Sequence, residues 1–330
     1  MSKILKNGVI LMVLGFAACT CSTEQAIQKV LGVGMETPVF LGVKALSAHV
    51  IRFDFSNPVK VSSINFTPPL ETQSINEGTA VMVNLKEAMG DGEWFVADLL
   101  VEDERGNTLG VLLPFYSRNE RIPGLLITEL RTEYSSNKDP LKARVEFVEM
   151  KTLSAGNLGA IRLFTAVTSM TEPVFIFPPT EVAAGEYLVL HLRTLDPGME
   201  AFPDARNFWV PEAIKRLRKT DAVLLMDQDD TVLDGVLLSE TSDSSWAKKD
   251  GMNQAAALLA AQKAWLSADG SNQNLGPPDA VLSKGTTATR TICRDETAAD
   301  TNSAADWYIT DTSNASPGKP NSVKRYVPKS

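Results

Sequence analysis

The chain has 330 residues, 44% of them hydrophobic, with a mean hydropathy of −0.06, which is enough apolar material for two domains with separate cores. A formal charge of −8 and a pI near 5.0 argue against a nucleic-acid partner, because there is no basic surplus to release counterions from phosphates. With three cysteines and two histidines there is no disulfide framework and no spacing of metal ligands such as C-x-x-C.

In chain order, Lys3 and Lys6 come first, then an apolar run over residues 8–16 (GVILMVLGF), then Ala17, Ala18 and Cys19. That is the layout of a secretory signal. The run is about half of the ~20 residues that span a bilayer, so it is read as a cleaved signal. Residues 14–19 (LGFAAC) resemble the lipobox of bacterial lipoproteins, with Phe16 where Leu is commonest. Thr20 makes Cys21 the poorer fit. The resemblance implies a signal peptide over 1–18, lipid attachment (palmitate among the acyl chains) at Cys19, and a tether over 19–36. Several acyl chains hold a protein on a membrane where one barely can. Thr20 is not the Asp that retains some lipoproteins at the inner membrane, so the outer membrane is the implied destination, on its periplasmic or surface face. Loss of Lys3 and Lys6 takes Lys+Arg from 32 to 30 against 40 Asp+Glu, and the charge from −8 to −10.

From Thr37 the pattern becomes that of strands. Ile51, Phe53 and Phe55 alternate with Arg52 and Asp54, the period of a half-buried strand. Apolar runs follow over 81–85, 94–101 and 109–115, punctuated by Gly90-Asp91-Gly92 and by residues 102–107. Short strands joined by Gly, Asn and Asp turns predict a sandwich. Residues 43–59, ending Phe55-Ser56-Asn57-Pro58-Val59, and the later segment 103–109 (DERGNTL) resemble the Ig-like domains of bacterial envelope proteins. The first domain is expected over 37–120.

Pro123-Gly124 marks the next boundary. Strands are expected at 126–130 (LITEL), 144–150 (RVEFVEM), 159–165, 174–177 and 185–192, then a hairpin of 222–226 and 232–238. The phrases ITE (127–129), VEFVEM (145–150), AAGEYLVL (183–190), DWYI (306–309) and SPGKPN (316–321) stand in the order of the lamin-tail domain, which this region resembles. The resemblance implies an Ig-type sandwich over 124–322, with insertions near 194–220 and 242–286 and a tail over 323–330. The second insertion carries a helix expected at 252–266, which either packs on a sheet or, with Trp246 and Trp265, docks a partner. The fold class is therefore all-β: two Ig-like β-sandwich domains, the second with a helical insertion.

Candidate chemistry centres on Asp227-Gln228-Asp229-Asp230-Thr231 after the apolar run 222–226. An apolar strand followed by D-x-D-x-T resembles the start of haloacid-dehalogenase-type phosphatases, which implies Asp227 as nucleophile and Asp229 as acid/base around Mg²⁺. That chemistry needs a doubly wound parallel sheet. A tight hairpin turn, which Asp favours, is the competing reading. Asp227, Asp229, Asp230 and Asp234 also make a weak Ca²⁺ candidate, without the EF-hand glycine or its final Glu.

His49 is expected on the face of Ile51 and Phe53, and His191 at solvent or the sandwich rim. Ser135-Ser136-Asn137-Lys138 spells S-x-x-K in what reads as a polar loop and is taken as coincidence. Cys21 and Cys293 are either bridged or free.

The expectation from sequence is an exported, lipid-anchored protein that binds or scaffolds in the cell envelope without catalysis, cofactor or nucleic acid. Its partners are the membrane, through the lipid, and a protein or other envelope component. A metal-dependent phosphatase at Asp227-Gln228-Asp229 and a surface adhesin are the alternatives.

Overall fold

The computed structural model describes residues 37–136, 143–193, 201–211, 217–243, 245–246 and 250–328. The expected signal peptide, Cys19, Cys21, the tether and Asn137-Lys138 lie outside the described residues. Six strands make the first sheet: β1 (Phe40–Ser47), β2 (Val50–Thr67), β3 (Thr72–Asn76), β4 (Gly78–Leu85), β5 (Trp94–Asp103) and β6 (Thr108–Tyr116). Their order is β3-β4-β2-β5-β6, with β1 also on β2.

Strand β2 is 18 residues long and serves two layers. Residues 50–55 lie between β1 and β4, whereas residues 59–67 carry β5. Pro58 sits at the changeover, where the β2–β4 register breaks between Asp54 and Val59. Proline has no N–H for the ladder, so it marks a break in an otherwise paired strand. The sheet folds over one core in which Ile51, Phe53 and Phe55 meet Val81, Val83, Phe95, Ala97 and Leu99. The alternation read in the sequence is the buried face. His49 departs from it. It lies in the β1–β2 turn, exposed, because β2 begins only at Val50.

The second sandwich contains β7 (Leu125–Arg131), β8 (Phe147–Thr152), β9 (Gly156–Asn157), β10 (Arg162–Thr165), β11 (Phe175–Ile176), β12 (Glu181–Val182) and β13 (Tyr187–His191). It continues with β14 (Arg206–Trp209), β15 (Asp221–Met226), β16 (Val232–Ser239), helix α1 (Asp250–Ala261), β17 (Val281–Leu282), β18 (Ile292–Arg294) and β19 (Trp307–Ile309). One layer runs β14-β13-β8-β7-β18-β19 and the other β11-β10-β15-β16-β17, with β9 and β12 paired apart. Part of the expected insertion at 194–220 is strand β14, which extends the first layer by pairing parallel to β13.

All six residues of β15 are buried. The opposite layer covers one face, and α1 contacts β15 and β16 on the second layer. A strand buried on both faces loses its alternation, which is why residues 222–226 read as an unbroken apolar run. Helix α1 buries Met252, Ala255, Ala256, Leu259 and Ala260. It stops five residues short of the expected end at 266. Lys263 takes the left-handed conformation (φ 57°), and the Lys263 and Ala264 N–H groups bond to the carbonyls of Ala260 and Leu259. This double bond is a helix-terminating motif. Trp246 and Trp265 are buried, with indole N–H bonds to Leu275 O (3.2 Å) and Asp279 O (2.8 Å). They are core residues and not anchors for a partner.

An ion pair crosses the interior. The Arg294 guanidinium on β18 reaches both oxygens of Asp234 on β16 at 2.9 and 3.1 Å, with both side chains almost fully buried. Arg294 Nε donates to Ile127 O (2.8 Å) and Nη1 to Asp300 (2.7 Å), while Asp234 also accepts from Ile127 N (2.6 Å). Burial pushes the Asp234 carboxyl up to about 6 against the pull of Arg294. Breaking one half of such a pair costs about 3–5 kcal/mol, whereas replacing both by apolar groups is often neutral. Arg294→Met is therefore expected to lower the denaturant midpoint of the second sandwich sharply, and Asp234→Leu added to it to restore most of the loss.

Candidate functional site

The loop between β15 and β16 carries the carboxylates singled out in the sequence. β15 pairs antiparallel with both β10 and β16, so Asp227 follows a strand of an antiparallel hairpin and not a central parallel strand. Asp227 Oδ1 accepts from its own turn, from Asp229 N (2.8 Å) and Thr231 N (2.9 Å), the side-chain-to-backbone bonding for which Asp is favoured in turns. The geometry that the phosphatase reading requires is not formed.

The turn is not simply solvated either. It clamps the first sandwich. Gln228 Oε1 accepts from Asn119 N (2.7 Å) and Gln228 Nε2 donates to Ser117 O (2.6 Å), so the amide pairs with the connecting segment as a strand would. Asp229 binds Lys44 Nζ of β1 (2.6 Å) and Arg118 (2.8 Å). Those two cations hold its carboxyl at about 2. Asp230 binds Arg162 (2.8 Å), which also donates to Asp227 O. Asp234 is spent on Arg294. The four aspartates of the Ca²⁺ candidate thus face four different partners, and no cluster of metal-ligating side chains occurs among the described residues.

The clamp is backed by backbone contact. Asn119 Nδ2 donates to Asn157 O (2.7 Å) and Gly159 O (2.8 Å). Gly92 (φ 63°) lies so close to Gly159 that a Cβ on it would stand 2.2 Å from the Gly159 carbonyl carbon. Arg121 spans Asp91 (2.8 Å) and Glu181 (2.5 Å). Beside the clamp lies a cleft of about 410 Å³, walled by Val43 and Lys44 of β1, Phe115 and Tyr116 of β6, Arg162 and Asp230. Its charged side chains are already committed: Lys44 to Asp229 and Arg162 to Asp230.

A second polar cluster lies on the face of the β7–β8–β18 sheet that turns away from the core. The β7–β8 register shifts between Ile127 and Glu129. The extra residue of such a bulge stays on the side of its neighbour, so Thr128 and Glu129 both accompany Glu149, the cross-strand partner of Glu129. Both glutamates are fully buried. Glu149 accepts from Thr128 Oγ1 (2.7 Å) and Gly318 N (2.6 Å); Glu129 accepts from Thr291 Oγ1 and from Ser316 N (3.1 Å). Glu296 accepts from Lys151 (2.7 Å), Tyr187 Oη (2.9 Å) and Asn321 N (2.8 Å). Asn321 Nδ2 donates to Thr128 O and Arg294 O. ITE, VEFVEM, AAGEYLVL and SPGKPN, scattered over two hundred residues, thus meet in one hydrogen-bonded cluster. In the sequence they read as strand and turn markers; the glutamates on alternating apolar strands are the available signal.

Gly318 holds the strap, residues 316–321, in place. Its φ is +86°, and a Cβ would stand 2.9 Å from the Asp204 carbonyl carbon. Cys293 is a buried free thiol beside Thr291. Burial pushes it well above the usual thiol range, so it is not an activated nucleophile. His191 is fully buried, not at solvent. Its ring stacks between Phe202 and Trp209 at 5.4 and 5.2 Å, and Nε2 meets Asn207 Oδ1 at 2.8 Å. Burial lowers it to about 4, which keeps the imidazole neutral. Among the described residues neither histidine stands in a triad or a metal site.

Residues 123–309 match the model of the family TP_1001_2nd, described as "protein second domain". An uncharacterized protein of Treponema pallidum (strain Nichols) is 28% identical over 177 residues, covering 47% of this chain and 43% of that one. The chain thus spans less than half the length of this relative. Among solved structures, the N-terminal part of the bacterial S-layer protein SbsC aligns with 66% of this chain and 46% of its own (14% identity, TM-score 0.26). A DUF4876 family protein from Bacteroides thetaiotaomicron aligns with 84% and 93% (12% identity, TM-score 0.28).

Exposed ion pairs contribute little, up to about 1 kcal/mol, whereas each neutral hydrogen bond of the Gln228 amide contributes about that much and leaves a polar group unpaired when lost. Gln228→Ala is expected to speed amide exchange at Asn119 by about tenfold or more, and Asp229→Ala to change it little. Hydrogen exchange read on peptides covering residues 117–121 separates the two.

Proposed function

We propose that this chain, which belongs to the TP_1001_2nd family, is a lipid-anchored exported protein whose sandwiches act as one binding or scaffolding body in the cell envelope, without catalysis. The observation that carries this reading is the use made of Asp227-Gln228-Asp229-Asp230. Gln228 and Asp229 hold the two sandwiches together through Asn119, Lys44 and Arg118, while Asp227 and Asp230 are committed within the second sandwich, to their own turn and to Arg162.

The domain division at about residue 120, between an Ig-like and a lamin-tail-like unit, is part of the same reading. Two separate hydrophobic clusters support it, one formed by residues between 40 and 115 and the other by residues between 122 and 309. A clamped two-sandwich body on a tether of some eighteen residues would present a fixed surface away from its membrane. The acidic balance favours a protein or other envelope component over nucleic acid as partner. The lipobox-like LGFAAC supports acylation at Cys19, and Thr20 supports the outer membrane.

The test is the intact mass of the N-terminal peptide from native membranes, wild type against Cys19→Ser. The expected result is a mature chain that begins at an acylated Cys19 and stays with the membrane fraction. The Cys19→Ser chain is expected to keep its signal segment or to appear in the soluble fraction. A wild-type chain beginning unmodified at Cys19 would overturn the anchored reading.

A further inference from the structure

We propose that residues 316–321 are a proton-locked latch: Glu129 and Glu149 keep one proton between them while this strap is closed, and loss of that proton releases the strap from the sheet. The geometry makes the case. Two fully buried carboxyls stand directly opposite each other on β7 and β8, and they accept from two threonine hydroxyls and from two strap N–H groups, those of Ser316 and Gly318, with the Cys293 thiol also beside Glu129. No salt bridge to either glutamate occurs among the described residues. Two like charges in one dry site cannot both be ionised without a large cost, so one proton is retained.

Among the other described titratable groups facing the pair, Arg131 of β7 eases this, and only at Glu129. From β8, Lys151 lies on the same face but is bound to Glu296 and sits over the Tyr187 ring. Glu296 adds a further negative charge that raises Glu149. Cys293 on β18 and Tyr308 on β19 are themselves pushed up and stay neutral, as does His191 on β13. The strap's own Lys319 turns to Asp204 (2.9 Å). Burial raises both glutamates, and the charge of Glu129 raises Glu149 further.

The sign follows from proton counting. Carboxyls freed into water titrate near their ordinary value of 4.5, whereas the closed pair retains a proton to higher pH. The closed state therefore binds more protons, is most stable below about pH 4.5, and loses stability as pH rises through the raised value of Glu149. Opening of the strap is expected to grow by up to about tenfold per pH unit over that interval. Each opening frees the Ser316 and Gly318 amides together.

Hydrogen exchange of the full chain, corrected for the intrinsic pH dependence of exchange, tests this between about pH 5 and pH 9. In the wild type, protection in peptides covering residues 310–328 should fall as pH rises, while β15 and β16 stay protected. Glu149→Gln, which removes the carboxyl raised furthest and leaves Glu129 alone in the site, should flatten that fall across the same range. If Glu149→Gln does not fold, as judged by lost protection in β15 and β16, Glu129→Gln takes its place. A pH-independent wild-type strap overturns the proposal. So does a Gln variant that opens in step with the wild type, or a fall that β15 and β16 share.

Discussion

The hairpin of β15 and β16 is the element on which the other parts converge. One face lies against the opposite sheet and the other against α1, so the hairpin has no freedom to shift as a unit. From its middle, Asp234 crosses the interior to Arg294. At its tip, Gln228 and Asp229 take hold of the connecting segment and of β1. The end of α1 steadies that tip. Gln262 accepts from Val232 N (2.7 Å) and donates to Asp230 O (2.8 Å). A tip held from behind by a helix can hold another sandwich in front, and this is how the packing of the second core reaches the first.

The buried charges are satisfied in two different ways, with different consequences. Asp234 has a guanidinium beside it and every polar atom of the pair has a partner, so the pair ties two layers together at modest net cost. Among the described residues Glu129 and Glu149 accept only from neutral donors, and two of these, the Ser316 and Gly318 N–H groups, come from a strap that crosses the sheet after β19. A bonded carboxyl without a counter-ion is sensitive to its proton in a way that an ion pair is not. The same sandwich therefore contains one electrostatic contact built to stay and one poised to let go.

The strands were legible because burial on one face imposes a period of two, and Ile51, Phe53 and Phe55 show it without ambiguity. Pro58 was legible in the same stretch only as part of a motif, not as the point where a strand passes between layers. The run 222–226 left two readings open for a physical reason. A strand covered on both faces looks alike in an antiparallel sandwich and in a parallel sheet, and only its neighbours distinguish them. The same holds for Trp246 and Trp265, whose exposure depended on what α1 packs against, and for His191, whose alternation with leucines could not reveal the Phe202 and Trp209 rings above and below it.

What the sequence determined by itself is the all-β class, the position of most of the longer strands, the turn at Asp227 and the presence of a helix after β16. Each rests on local periodicity or local turn chemistry, which neighbouring residues carry among themselves. What only the tertiary structure decided is the fate of the polar side chains. Asp229 meets Lys44 across 185 residues, Asp234 meets Arg294 across 60, and Glu149 meets Gly318 across 169. A carboxylate becomes a clamp, a buried ion pair or a proton-dependent latch according to the donor brought to it. That donor is chosen by sheet order, bulge and strap, long-range features that no local pattern encodes.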